Sequence, residues 1–324
     1  MRFLFRSWSH TAACAWLALV VLAALLAGGL PLPYLPGVPD LGQVAQPPFA
    51  AGRHWLGTDP QGRDVLSVLV FGARTAVLLT LPAAGLAALL GALAGGAAGF
   101  WGNKALLPVP YWLLAAGGAW AGLRLPQPAL AVAMAASGLG IALLAKVRHR
   151  PGPTWAVPLN AVVMGTAATL DTVPRLVLVV AAVAAGAGEV SLLGLLGLLT
   201  LTAWPHPARL VRAQMLRVRE LPFVEAAHAA GLPAARVWLR HALPHAAQPL
   251  RTALPLSVAS LLGLESTLSF LGIGLPPETA SWGRLLATVR EEPTAWWLFA
   301  FPAFCLITTT LSLIRLSRQR PVTG

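Results

Sequence analysis

Long apolar runs, separated by short polar and proline-rich stretches, organise this chain. A bilayer-crossing helix needs roughly 17–25 mostly apolar residues, and eight runs qualify: 12–30, 75–100, 105–123, 128–145, 159–186, 190–205, 252–275 and 295–314. The sixth is short and closes on Trp204-Pro205. The first follows Arg2 and Arg6, as a secretory signal would. Its apolar stretch, Thr11 to Leu30, is longer than the ~7–15 residues of a signal core, so a retained helix is expected. The pattern predicts an all-α polytopic membrane protein.

Composition agrees. Of 324 residues, 57% are apolar and 10% charged, with a mean hydropathy of +0.71. A soluble domain carries about 25% charged residues, so an ordinary soluble enzyme, a disordered chain and a disulfide scaffold are all excluded. The two cysteines, Cys14 and Cys305, both lie in apolar runs.

The formal net charge of +12 follows the membrane pattern. With the N-terminus cytoplasmic and eight crossings, sixteen of the 23 Lys and Arg residues fall inside. Six fall outside (Arg53, Arg63, Arg74, Arg124, Arg284 and Arg290), and Arg175 lies within a span. Positive charge collects on the cytoplasmic side, which places both termini there and explains the charge without nucleic acid. It also favours an apolar hairpin at 105–145, because that choice leaves Lys146 to Arg150 in the cytoplasm.

Three polar stretches stand apart. The outer loop, 31–74, ends in His54-Trp-Leu-Gly-Thr-Asp-Pro-Gln-Gly-Arg-Asp-Val-Leu-Ser67. Its Gly57, Asp59, Gly62 and Asp64 suit tight turns, with Thr58 among them and an Arg63–Asp64 pair expected, in a folded cap packed on the bundle rather than a solute contact. The cytoplasmic stretch 206–251 predicts a basic helix from Pro207 to about Glu220. A short helix opened by Pro222 and closed by Gly231 follows, then a second from Pro233 to about Ala242, before Pro244. Phe223, Ala226, Ala227 and Ala230 share one face of the first short helix, a small-residue knob suited to docking in a cleft. The stretch lacks the polar recognition helix of a DNA-binding motif. At the third stretch, 275–294, Trp282 fits an interfacial aromatic belt, as do Trp296 and Trp297.

Most catalytic chemistry is missing. There is no phosphate-cradling Gly-x-x-x-x-Gly-Lys-Ser/Thr; the string Gly138 to Lys146 lacks its second Gly and the Lys-Ser/Thr pair. There is no His-Glu-x-x-His and no Cys-x-x-Cys. His241 and His245 have Pro244 between them and no third ligand, so no metal site is expected. Glu265 sits within a span, at a cost of about 3 kcal/mol at the bilayer centre, against roughly 3–6 kcal/mol returned by its apolar neighbours between Leu256 and Leu275. It should therefore face the protein interior. Asp171 and Arg175 are spaced to pair along one helix face. So few buried carboxylates describe a pathway without its own motor.

Four separated motifs carry a resemblance. Glu225-Ala-Ala-His-Ala-Ala-Gly231, followed after nine residues by His241-Ala-Leu-Pro244, resembles the EAA signature of permease subunits of binding-protein-dependent ABC importers. His54 to Ser67 with Phe71-Gly-Ala-Arg74, then Leu264-Glu-Ser-Thr-Leu-Ser-Phe-Leu-Gly-Ile-Gly274, then Ser281-Trp-Gly283, resemble the oligopeptide/dipeptide/nickel branch, second-permease type. The resemblance covers roughly residues 1–103 and 160–324.

The resemblance implies a permease of six core spans. Glu225, Ala226, Ala227, Gly231, Leu243 and Pro244 would form the loop coupled to a cytoplasmic ATPase, and Arg236 and Arg240 would meet the ATPase or lipid headgroups. It also implies a heterodimer with a homologous permease, two ATPase subunits that bind ATP and Mg, and an extracytoplasmic solute-binding protein. No cofactor is expected in this chain. The implied segments are 1–30 (N-terminus and first span), 31–74 (outer loop), 75–103 (second span), and 159–324 (remaining core with coupling region 206–251). The departure is 104–158, about 55 extra residues, expected to be an inserted helical hairpin acting as a peripheral buttress and giving eight spans. A self-powered secondary carrier and a non-transport scaffold derived from a permease are the rival functions. Dipeptides, longer peptides and nickel complexes all remain open as cargo.

Overall fold

The computed structural model describes residues 2–30, 34–50, 54–103, 105–108, 154–185 and 191–318. The helices are α1 (Arg2–Leu26), α2 (Val65–Trp101), α3 (Leu159–Thr172), α4 (Arg175–Ala185), α5 (Leu192–Ala203), α6 (Pro205–Val218) and α7 (Pro222–Ala229). They continue with α8 (Ala234–Arg236), a π-helical turn at Val237–Ala242, α9 (Leu243–Ala246), α10 (Leu250–Phe270), α11 (Trp282–Ala287) and α12 (Trp297–Ser317). Two short strands, β1 (Ala105–Pro108) and β2 (Thr154–Val157), pair antiparallel from Ala105 opposite Val157 to Pro108 opposite Thr154.

Among the described residues, four helical segments are long and apolar enough to cross a membrane: Trp8–Leu26 of α1, α2, α10 and α12. Helices α3 and α4 make a fifth if counted as one broken span, being bent by 87°. The expected single span at 159–186 is therefore two helices. Val173 is extended (φ −103°, ψ 130°) ahead of Pro174, because the proline ring excludes the helical region for the residue before it. The expected helix at 105–123 begins instead as strand β1; the rest of it, and the run at 128–145, lie outside the described residues.

Helix α2 has 37 residues and starts at Val65, ten positions ahead of the expected span. Asp64 caps it: its carboxylate accepts from the Ser67 backbone N–H at 2.8 Å, which satisfies one of the unpaired amides of a helix start. At about 1.5 Å per residue the helix is about 55 Å long, more than a bilayer core. The short run at 190–205 is likewise longer than it looks. The Ala208 N–H donates to the Trp204 carbonyl at 3.0 Å, so α5 passes into α6 without losing helical register.

Apolar packing divides the bundle into three zones. Leu79, Leu199, Val183 and Leu261 join α2, α4, α5 and α10 in the middle. Val65, Leu262, Trp282 and Leu298 close one end. Val211, Met215, Val224, Val237 and Ala246 close the other. The most extensive helix contact is α2 on α6, and glycine makes it possible. A Cβ on Gly91, Gly95 or Gly99 would fall 2.6, 2.0 or 2.8 Å from an atom of α6, the small-xxx-small spacing that lets membrane helices approach backbone to backbone.

Residues 104–158 leave and rejoin the bundle at one place. The Asn160 N–H donates to the Gly102 carbonyl at 3.1 Å, and the Ala161 N–H to Asn103 Oδ1 at 3.0 Å.

Candidate functional site

Two polar structures sit at opposite ends of α2. At its C-terminal end lies the helical elbow formed by α7 to α9. Pro222 supplies the first turn of α7, where its missing N–H is harmless. Val224 is buried against Val211, Met215 and Val237, with Ala227 and Leu232 packed beside it. The Leu232 N–H donates to the Ala227 carbonyl at 3.2 Å and the Gly231 N–H to the His228 carbonyl at 2.9 Å. That pair of bonds is a Schellman closure, which requires a left-handed residue at its turn. Gly231 provides it at φ +76°.

The elbow is thus anchored by one face and open on the other. Phe223, Glu225, Ala226 and Ala230 are exposed, while Ala227, expected on the same open face, is half-buried against the bundle. Arg236 and Arg240 are also exposed, and no carboxylate of the described residues pairs with either.

The helix expected to end before Pro244 continues past it. The Leu243 N–H donates to the Trp238 carbonyl five residues back, a π turn, and Pro244 then falls in the first turn of α9. Trp238 packs on Trp101 with ring centroids 5.0 Å apart, tying the elbow to α2. His245 lies 5.0 Å from Phe223, ring to ring. Among the described residues, no three His, Cys, Asp or Glu side chains are grouped to hold a metal ion.

At the N-terminal end of α2 lies a folded cap. Asp64 Oδ1 and His54 Nδ1 are 2.9 Å apart and buried, with Asp40 Oδ2 3.7 Å from the other imidazole nitrogen and the Tyr34 ring stacked at 4.0 Å. Gly57 and Gly62 both turn at positive φ, and Thr58 donates its hydroxyl to the Gln43 carbonyl at 2.6 Å. The expected Arg63–Asp64 pair does not form. Arg63 Nε binds Asp59 Oδ2 at 2.7 Å, and Asp59 Oδ1 accepts the backbone N–H groups of Gln61 and Arg63. The turn at Gly62 carries Arg63 back over Asp59, while Asp64 is committed to His54 and to the helix cap. Trp297 Nε1 donates to the Thr58 carbonyl at 3.1 Å, seating the cap on α12.

The expected Asp171–Arg175 pair is also replaced. Arg175 lies beyond the bend at Pro174, and Asp171 pairs with Arg209 of α6. The sequence motifs contain His54, Ser266, Ser269 and Ser281 but do not indicate their partners, and Asp40 lies outside them. Glu265 is 2% exposed; its carboxyl group accepts hydroxyl hydrogen bonds from Ser269 at 2.8 Å, Ser281 at 2.9 Å and Ser266 at 3.3 Å. Ser266 and Ser269 stand one and four residues along the same helix, a spacing visible in the sequence.

Long apolar helices with an exposed basic elbow at one end and a folded cap at the other define a polytopic membrane protein with a polar structure at each end of its longest helix. Residues 138–320 match the family described as binding-protein-dependent transport system inner membrane component. A Brucella suis biovar 1 protein, provisionally named as a peptide transport system permease, is 32% identical over 304 residues, covering 92% of this chain and 80% of that protein. The oligopeptide transport system permease protein OppC of Mycobacterium bovis is 28% identical over 305 residues, covering 92% and 84%. The chain belongs to this family of inner-membrane transport components. It is a permease subunit of an ABC importer and a multi-pass protein of the cytoplasmic membrane.

Proposed function

We propose that this subunit forms half of a gated path for peptides or a related small solute, nickel complexes included, and that it is driven through the elbow by separate ATPase subunits. One observation carries the reading: α7 is fixed to the bundle by Val224 and the Gly231 closure, yet presents Glu225, Ala226 and Ala230 outward. A rigid projection with small side chains lets a partner approach the backbone and transmits displacement without absorbing it. The cargo class rests on the relatives named for peptide transport.

The Lys and Arg distribution supports cytoplasmic termini and a cytoplasmic elbow. The cap then faces outward, toward a solute-binding protein. A second, homologous permease completes the path, and two ATPases, docked at the paired elbows, bind ATP and Mg in their own sites. Their closure on ATP would shift the equilibrium between inward- and outward-open states.

The test is a cysteine at Ala226, in the chain purified with its co-expressed neighbours. A crosslink to a nucleotide-hydrolysing subunit, together with ATP hydrolysis stimulated by loaded binding protein, is expected. Transport in proteoliposomes lacking the ATPases would instead establish a self-powered carrier, and uptake unaffected by deletion of the chain would establish a scaffold.

A further inference from the structure

Glu265 is the one carboxylate on α10, and it is buried. Two of its three hydroxyl donors, Ser266 and Ser269, belong to its own helix. The third does not. Ser281 caps α11, accepting the Gly283 backbone N–H at 3.2 Å while donating its hydroxyl to Glu265 Oε1 at 2.9 Å. The same turn lies directly on the α10 backbone, since a Cβ on Gly283 would fall 2.1 Å from the Ser266 carbonyl oxygen. Around this point the cap end is cross-tied. Trp282 Nε1 donates to the Leu69 carbonyl of α2 at 2.9 Å. Arg284 donates to the carbonyls of Pro276 and Leu275, at 2.6 and 2.8 Å.

The other end of α10 begins at Leu250, which packs with Ala246 in the elbow cluster. Its one internal proline is Pro255, and from there to Phe270 the helix carries no other. Helix α10 therefore joins the elbow to the cap end, and the Glu265–Ser281 bond is its side-chain hydrogen bond to the α11 cap. A neutral apolar residue at 265 would keep the helix but lose this tie.

We propose that Glu265 is a positioning residue that makes α11 move with α10, so that displacement of the elbow is delivered to the cap end. This rests on the importer function proposed above. The carboxyl group satisfies two hydroxyls on one oxygen, and the Gly283 contact holds the α11 turn close against the α10 backbone. The bond thus fixes the angle between α11 and α10 where packing alone fixes only their distance.

Two measurements on the assembled complex test this. The first is amide hydrogen exchange, which needs no solute. Glu265→Ala is expected to speed exchange across Trp282–Ala287 by about tenfold with α10 unchanged, and unchanged protection would overturn the proposal. The second is ATP hydrolysis in proteoliposomes, with and without binding protein charged from a tryptic casein digest. Glu265→Ala is expected to keep the basal rate and lose about tenfold in stimulation. Glu265→Gln, which can still accept both hydroxyls, is expected to recover most of it.

Faster exchange with full stimulation would overturn the proposal, leaving Glu265 a packing residue only. If Glu265→Ala fails to assemble, Ser281→Gly, which removes the hydroxyl while glycine still serves as a helix N-cap, takes its place with the same expectations. Absence of stimulation in the wild-type complex would refute the peptide-import reading, while the exchange measurement still decides the tie.

Discussion

Gly95 of α2 faces Ala208 of α6 so closely that a Cβ on Gly95 would lie 2.0 Å from the Ala208 carbonyl oxygen. Gly91 and Gly99, one turn to either side, meet Pro207 and Met215 almost as closely. The two helices therefore touch backbone to backbone over about two turns. Because α2 carries Asp64 of the cap at one end and Trp101 against the elbow at the other, this contact sets how the two polar structures stand to each other.

Gly95→Val should break that register. Overpacking a tight site costs about 1–3 kcal/mol, and a carbonyl of a neighbouring helix cannot rotate away as a side chain can, so the upper end is expected. Gly85, on the same helix, has nothing within 4 Å of an added Cβ, and Gly85→Ala is the control. Thermal unfolding of the detergent-extracted subunit should show a lowered midpoint for the first variant and none for the second. Equal midpoints would contradict the close approach.

Gly231 is constrained differently. Nothing lies within 4 Å of an added Cβ, so any penalty comes from its φ of +76°. Gly231→Ala should cost about 1–2 kcal/mol for a left-handed alanine, and Gly231→Asn less, since asparagine tolerates that conformation. Co-purification of the ATPase should fall in the order wild type, Asn, Ala. An Asn variant worse than Ala would show that side-chain bulk, not backbone, decides docking.

Much of this was legible in the apolar runs, and the departures have local causes. The runs at 12–30, 252–275 and 295–314 correspond to α1, α10 and α12 because nothing interrupts their periodicity strongly enough to break them. The run at 159–186 looked continuous by hydropathy, but Pro174 removes the conformation Val173 would need. Helix α2 starts earlier than its apolar core because Asp64 provides a cap among residues already suited to helix. The EAA elbow could be laid out from Pro222, Gly231 and Pro233, since prolines and glycines specify backbone directly. The partners of Arg63, Asp171 and Glu265 could not, because each is chosen by a bend or a separate element: Asp59 across the Gly62 turn, Arg209 on α6, Ser281 on α11. The Gly91, Gly95 and Gly99 spacing was visible, but its partner helix was not.

The ion pair in the cap can be separated from its sequence neighbour by mutant cycles. Arg63 binds Asp59, whose carboxylate is fully buried, and makes no pair with Asp64. A cycle between Arg63→Ala and Asp59→Asn should give a coupling energy of about 1–3 kcal/mol. A cycle between Arg63→Ala and Asp64→Asn should give about 0.5 kcal/mol or less. Thermal unfolding of the subunit at fixed detergent concentration measures both. A larger coupling to Asp64 would mean that the cap rearranges in the membrane.

The last prediction concerns residues 104–158. Gly102 and Asn160 share a backbone hydrogen bond, Asn103 and Ala161 a side-chain one, and β1 pairs with β2 immediately beyond. Two chain positions held within hydrogen-bonding distance can be joined by a turn of about two to four residues without moving either. Replacing 104–158 with such a glycine-containing turn should therefore leave α2 and α3 in place, along with the Arg212–Asn160 contact that ties α3 to α6. The shortened subunit is expected to insert, to bind the ATPase, and to hydrolyse ATP under stimulation within about twofold of the intact chain, as tolerated changes at exposed chain crossings do. Loss of ATPase binding on deletion would show that the segment buttresses the elbow. Loss of stimulation alone, with binding retained, would place it in the transport path and overturn its reading as a peripheral addition.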